Sequence, residues 1–292
     1  MTEGLFPMKS FFCTPIFLFL AVGLSAQSVS QKGTVIVIGH SDDKIVVAAD
    51  SRETEGDGKF KDDACKLIEF DDHTIFTGAG SAVHATNGVV YWNSYLEGQE
   101  AFKRAKQSAQ PNILSNAATD LREHLTNAVN QALLSDPIGS MNEVEGGRTI
   151  YNAQFLGFDN GKGTMFQVEI FLDPKTKKAH YQVDAVHNDK RGMIIDAGGW
   201  NEIPFEVVRN ETPFAIEEQK KWAKMVNTFP VQDREARWAI RLVELSEAYG
   251  KHKIYMGGPV DAAEITANGI RWIQRKRGCE YGGLTVKKDE AR

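Results

Sequence analysis

The sequence has little cysteine, no compact basic face and, after its first 26 residues, no long hydrophobic run. Three cysteines in 292 residues do not make a disulfide framework. Beyond residue 26 no segment approaches the about 20 consecutive apolar residues of a membrane-spanning helix. Lysine and arginine number 34 against 39 aspartates and glutamates, a net charge of −5. That balance argues against a nucleic-acid partner, because neutralising phosphates needs a concentrated positive surface. The one compact basic run, RKRG at 275 to 278, reads as a solvated strand end. The seven histidines show neither HExxH nor any other paired ligand spacing, so the sequence supports no metal. The glycines of GDGK and NGKG lack the spacing and trailing Ser or Thr of a phosphate loop, so no cofactor is expected. Repeats, linkers and low-complexity stretches are also missing, which predicts a single domain.

What is there begins at the N-terminus. Lys9 is followed by FFCTPIFLFLAVGLSA, an apolar run ending in small residues, which is the pattern of a secretion signal. The reading is a signal peptide over 1–26, a short stretch over 27–33 and one domain over 34–292, exported and soluble once the signal is removed. Cys65 and Cys279 are then left in an oxidising compartment. They either pair or stay as buried thiols, and the sequence leaves both open.

Thr34–Ile38 and Lys44–Ala49 are β-branched and apolar around the turn residues GHSDD, which predicts a hairpin. CKLIEF and TIFTGAG follow as two further strands. Helical spacing then predicts one helix from Ser81 to about Gln107 and another from Pro111 to Leu134, the second with Leu114, Ala117, Ala118, Leu121, Leu125, Val129 and Ala132 on one face. Four strand patterns follow, in TIYNAQFLGFD, TMFQVEIFLD, AHYQVDAV and GMIIDAGG. Two helical stretches, about 213–228 and 231–249, lead to a last hairpin in which Asn268-Gly269 joins PVDAAEIT to GIRWIQ. Runs of strands alternating with helix pairs predict an α+β fold, two antiparallel sheets packed together with helices on their outer faces. The continuous apolar strands agree, since a sheet covered on both faces loses the usual alternation.

Four residues stand at matching ends of the first strands. Thr34 opens the first, Asp50 closes the second sixteen residues on, Lys66 enters the third after another sixteen, and Gly80 ends the fourth. A hydroxyl is a weak nucleophile until a base takes its proton, and a threonine at a chain terminus has its own α-amine for that work. A nearby ammonium, Lys66, favours the unprotonated amine, and Asp50 holds that lysine charged and in place. The Gly80 N–H is the candidate oxyanion donor. As a purely structural ion pair, Asp50 and Lys66 would gain little, because desolvation offsets the attraction.

From Gly33 to Ala82 the chain resembles a β-type subunit of the proteasome family, the N-terminal-nucleophile (Ntn) threonine hydrolases. That family's nucleophile follows a propeptide glycine, as Thr34 follows Gly33. Its aspartate in an Ala-Ala-Asp-Ser-Arg run corresponds to Asp50, its lysine ahead of an apolar strand to Lys66, and its oxyanion glycine in an Ala-Gly pair to Gly80, with all intervals matching. FLGFDNGKGTMFQVEIF resembles the family's central hairpin and YMGGPVDAAEI its late Gly-Gly strand. The resemblance implies a four-layer αββα sandwich and self-cleavage at Gly33-Thr34. It also implies threonine-type hydrolysis of a peptide or amide substrate, and a homo-oligomer or ring. An inactive structural subunit and a small-molecule amidase are the alternatives. The chain departs from the pattern where Lys253 and Met256 stand in place of an aspartate and a serine before the Gly-Gly pair. A family Gly-Ser-Gly serine has Asp196 as its nearest counterpart, the last helical region is longer, and a secretion signal is foreign to a cytosolic proteasome.

Overall fold

The computed structural model describes residues 29–30, 34–54, 59–86, 89–108, 110–136, 149–159, 161–173, 175–186, 194–199 and 201–279. The expected signal peptide, 1–26, most of 27–33 and Gly33 itself lie outside them. Among the described residues no helix is long and apolar enough to cross a membrane.

The protein is a mixed α+β structure dominated by antiparallel pairing. One five-stranded sheet runs β12 (Ala179–Val186), β11 (Lys162–Leu172), β10 (Thr149–Asp159), β7 (Thr74–Gly80), β6 (Ile68–Asp71). The other runs β13 (Ile194–Gly199), β2 (Val35–His40), β3 (Lys44–Ala49), β14 (Asp261–Thr266), β15 (Gly269–Gln274). Every neighbour pair in both sheets is antiparallel.

Both faces of β2 and β3 are buried, as their unbroken apolar runs predict. Side chains alternate between two cores along each strand. Ile36, Ile38, Ile45, Val47 and Ala49 meet Ile75, Ala79, Leu156 and Met165 of the other sheet, while Val35, Val37 and Ala48 turn to the helices behind. Those helices are α3 (Glu202–Arg209), which supplies Ile203 and Val207, and α5 (Arg234–Tyr249), which supplies Ala239, Leu242, Val243 and Leu245. Between them lies α4 (Pro213–Met225), with Pro213 in its first turn and the Thr212 hydroxyl capping the Ala215 N–H. The first sheet has its own helix pair, α1 (Ser94–Gln107) and α2 (Ile113–Ser135). All seven residues expected on the inner face of α2 are buried there.

Three expectations need correction. The first helix does not begin at Ser81: Val83–Thr86 and Val89–Asn93 form β8 and β9, and α1 starts thirteen residues later at Ser94. The cause is legible in VHAT and VVYWN, β-branched and aromatic runs on either side of Asn87-Gly88. Helix α3 was not expected, its eight residues being too short for a clear period. The 275–278 run is only half solvated: Arg277 and Gly278 are exposed, but the side chains of Lys276 and Arg275 are only 7% and 15% exposed and both are ion-paired. Two short pairings also lie outside the predicted strands. Glu53–Thr54 pairs with Phe60–Lys61, and Val29–Ser30 pairs antiparallel with Ala85 and His84 of β8.

Candidate functional site

The strand ends bring three of the four candidate residues to one carboxylate. Val35 pairs next to β3, so Thr34 begins its strand beside the point where β3 runs out into Asp50, and the Asp50 N–H donates to the Val35 carbonyl at 3.3 Å. The Asp50 side chain is fully buried. Its Oδ1 accepts from the Val35 N–H at 3.0 Å and from Lys66 Nζ at 2.8 Å. Its Oδ2 accepts from the Gly257 N–H at 3.1 Å and the Arg52 N–H at 3.3 Å. One carboxylate therefore ties together the Thr34–Val35 peptide, the lysine and the Gly257-Gly258 turn. Lys66 Nζ also donates to the Arg52 carbonyl. Thr34 itself is 6% exposed.

Such burial sets the electrostatics. Desolvation makes Lys66 give up its proton more readily than a lysine in water, Asp50 opposes that, and the ammonium of Lys276 reinforces it. Arg52 grips Asp62 through two nitrogens, at 2.6 and 2.8 Å, and so frames the outer side of the Asp50 turn.

Gly80 sits at the end of β7 with φ +102°, a conformation that L side chains rarely adopt, and a Cβ there would collide with the Ile150 carbonyl. It lies opposite Tyr151, and the Ser81 N–H donates to Ile150 O at 2.9 Å. That bond belongs to a pair whose own amides face away from each other. The Gly80 N–H is thus turned from β10 towards the side on which β6 pairs with β7.

Several participants carried no individual prediction. Gly199, at φ +74° in the Asp196-to-Gly199 strand end, packs so closely that a Cβ would meet the Thr34 carbonyl oxygen. Gly257 is bound twice, through its N–H to Asp50 and through its carbonyl to the Ser51 N–H at 2.9 Å. Glu247, on α5, lies within electrostatic reach of Asp50, and burial followed by that negative neighbour raises its carboxyl to about 7. The disulfide Cys65–Cys279, left open by the sequence, is formed, with its Cα atoms 5.6 Å apart, and it anchors the residue just before Lys66. The glycine pairs and both cysteines were visible in the sequence, but Glu247 is far from Asp50 along the chain and leaves no local signal.

At the positions where the pattern departs, Met256 is buried among the α3 and α5 side chains and Lys253 is exposed in a short 3₁₀ turn. The Asp196 side chain lies outside the described residues. Among those described, no three His, Cys, Asp or Glu side chains gather as a metal site. No known family's sequence pattern matches the chain, and comparison with curated proteins finds no match.

Proposed function

We propose that this protein is an exported threonine-type hydrolase of the proteasome β-subunit kind, built as an αββα N-terminal-nucleophile sandwich and freed for catalysis by cleavage between Gly33 and Thr34. One observation carries the reading: Asp50 Oδ1 receives both the Val35 N–H and Lys66 Nζ, which holds a buried lysine beside the first peptide of the mature chain. The three hydrophobic cores, one between the sheets and one under each helix layer, support the fold. The Cys65–Cys279 bridge supports an oxidising compartment.

In this reading Thr34 Oγ1 first attacks the Gly33 carbonyl carbon and the Gly33–Thr34 C–N bond breaks, the hydroxyl proton going to the freed α-amine of Thr34; water then hydrolyses the resulting ester, releasing the Gly33 carboxylate and restoring the Thr34 hydroxyl. In each later turnover that amine takes the hydroxyl proton as Oγ1 bonds to the substrate carbonyl carbon. The Gly80 N–H stabilises the oxyanion, the amine returns the proton to the leaving nitrogen, and water hydrolyses the acyl-enzyme. An α-amine has an ordinary pKa of about 7.7 to 8.0, and nearby lysine ammonium lowers it into the working range. The antiparallel seat of Val29–Ser30 on β8 supports a leader held along the sheet before cleavage. Substrates are short or unfolded peptides, since an exported chain has no ATP-driven unfolding partner. A panel of peptides and small amides separates a peptidase from a small-molecule amidase.

The test is N-terminal sequencing with intact mass of the secreted protein beside Thr34→Ala. Wild type starting at Thr34 and the variant near Gln27 is the expected result. Both starting near Gln27 overturns the proposal.

A second reading, a non-catalytic subunit of the same fold, is favoured by one feature: the buried thioether of Met256 stands where active relatives hold a serine. A threonine-directed electrophile decides between them, since the enzyme alone is labelled at Thr34.

A further inference from the structure

Behind the Asp50–Lys66 pair lies a second buried lysine–aspartate pair on a distant part of the chain. Lys276 Nζ donates to Asp261 Oδ2 at 2.6 Å and to Ser51 Oγ at 2.7 Å, and the Lys276 N–H donates to Asp261 Oδ1 at 2.7 Å. The two side chains are 7% and 2% exposed. Ser51 follows Asp50 directly, and its hydroxyl donates onward to the Pro259 carbonyl. A single hydroxyl thus separates the Lys276 ammonium from the backbone that carries Asp50.

The segment bearing Lys276 is fixed at both ends. Cys279 is bonded to Cys65, the residue before Lys66. Arg275 lies over the Trp272 ring at 4.0 Å and reaches Glu69 at 3.2 Å and the Cys279 carbonyl at 2.6 Å. Residues 275 to 279 therefore brace the Asp50 turn through Ser51 and the segment that leads through Lys66 into β6 through the disulfide. A buried ion pair adds little net stability by itself, so fold maintenance alone explains this placement poorly.

We propose that Lys276 is a positioning residue of the candidate threonine centre, acting through Ser51 and the Cys65–Cys279 bridge to fix the place and the charge of the Asp50–Lys66 pair. Its catalytic consequence rests on the hydrolase reading above; its effect on Lys66 does not. Around Lys66 the acids Asp50, Glu53, Asp62 and Glu247 favour its ammonium form, and Lys276 opposes them. Removing the Lys276 charge therefore makes both Lys66 and a nearby α-amine hold their protons more tightly.

The experiment compares wild type with Lys276→Gln/Asp261→Asn, which neutralises both partners and keeps a donor for Ser51, and with Lys276→Arg, which keeps the charge. Lys276→Gln alone is avoided because it strands a buried Asp261. Lys66 is titrated by NMR of ¹³Cε-lysine, with its signal assigned from Lys66→Arg. The double variant also removes the Asp261 carboxylate, so what is read is the part of the Lys276 effect that this neighbour does not cancel: Lys66 titrates higher than in wild type, and Lys276→Arg stays near wild type. The acid limb of kcat/KM moves up by a similar amount while KM holds. A folded double variant whose Lys66 titrates as in wild type overturns the proposal. Absence of turnover in every variant, wild type included, counts against the hydrolase reading alone, because the NMR titration needs no turnover.

Discussion

Two buried acids in this molecule are handled in opposite ways. Glu218 on α4 is 3% exposed, but its partners Lys221 and Arg241 are 54% and 32% exposed, so the positive ends of the network reach water. Asp50 is fully buried and so is its partner, Lys66 at 4%. The helix network keeps its cations hydrated and binds elements near each other in space through side chains alone. The strand-end network removes both charges from water and fills the remaining acceptor sites with three backbone N–H groups from separate parts of the chain. Desolvation makes the second arrangement expensive as a mere brace. It suits a centre where a lysine must be held within narrow limits beside a particular peptide.

That contrast breaks most visibly at Asp50. Asp50→Ala leaves Lys66 without its anion and three amides without an acceptor, so a loss of about 3–5 kcal/mol is expected. Glu218→Ala, whose cations are free to turn into solvent, costs about 1–2 kcal/mol. Urea unfolding of the two variants measures both values, and equal losses would remove the distinction between the networks. The disulfide comes next. Cys65→Ala/Cys279→Ala opens a loop spanning 214 residues of sequence and lowers stability by about 2–4 kcal/mol. It also loosens the strap beside Lys66, so activity should fall more than it does in Glu218→Ala variants of comparable melting temperature. A smaller effect is expected at Gly199→Ala, about 1–3 kcal/mol, because φ +74° and the Thr34 carbonyl both oppose a Cβ. On the hydrolase reading its signature is a slowed release of an N-terminus at Thr34, followed by intact mass over time.

How far the sequence discloses these features depends on how local their causes are. The inner face of α2 and the hairpin of β2 and β3 follow from periodicity and turn chemistry inside single segments. So does the sixteen-residue interval that sets Thr34 beside Asp50, because it spans the β2–β3 hairpin; the next sixteen residues run mostly through loop, and Lys66 lies two residues before β6. The helical period of the residues that follow hid the β8–β9 hairpin, although Asn87-Gly88 is a turn signal in the sequence. Lys276 is 225 residues from Ser51, and no pattern in RKRG distinguishes a buried brace from a solvated end. Only the antiparallel neighbours β3, β14 and β15 bring the two together.

Glu247 supplies the finest test, because it sits between the two kinds of network. It is half-buried on α5, its Oε1 has no hydrogen-bond partner among the described residues, and burial with Asp50 and Glu244 raises its carboxyl to about 7 against Arg52 and Lys66. A carboxyl held above its unfolded value binds more protons in the folded state. Its contribution is therefore fully present below about pH 4.5 and is lost as pH rises through about 7. Glu247→Gln mimics the protonated form, so its melting temperature should match wild type near pH 5 and exceed it near pH 8. With the exposed part of the carboxylate screened by water, the gain at pH 8 is about 1 kcal/mol. A gain that is the same at both pH values would mean that neither burial nor the Asp50 charge raises the Glu247 carboxyl. Its carboxylate would then belong with the solvated acids of the helix layer rather than with the strand-end centre.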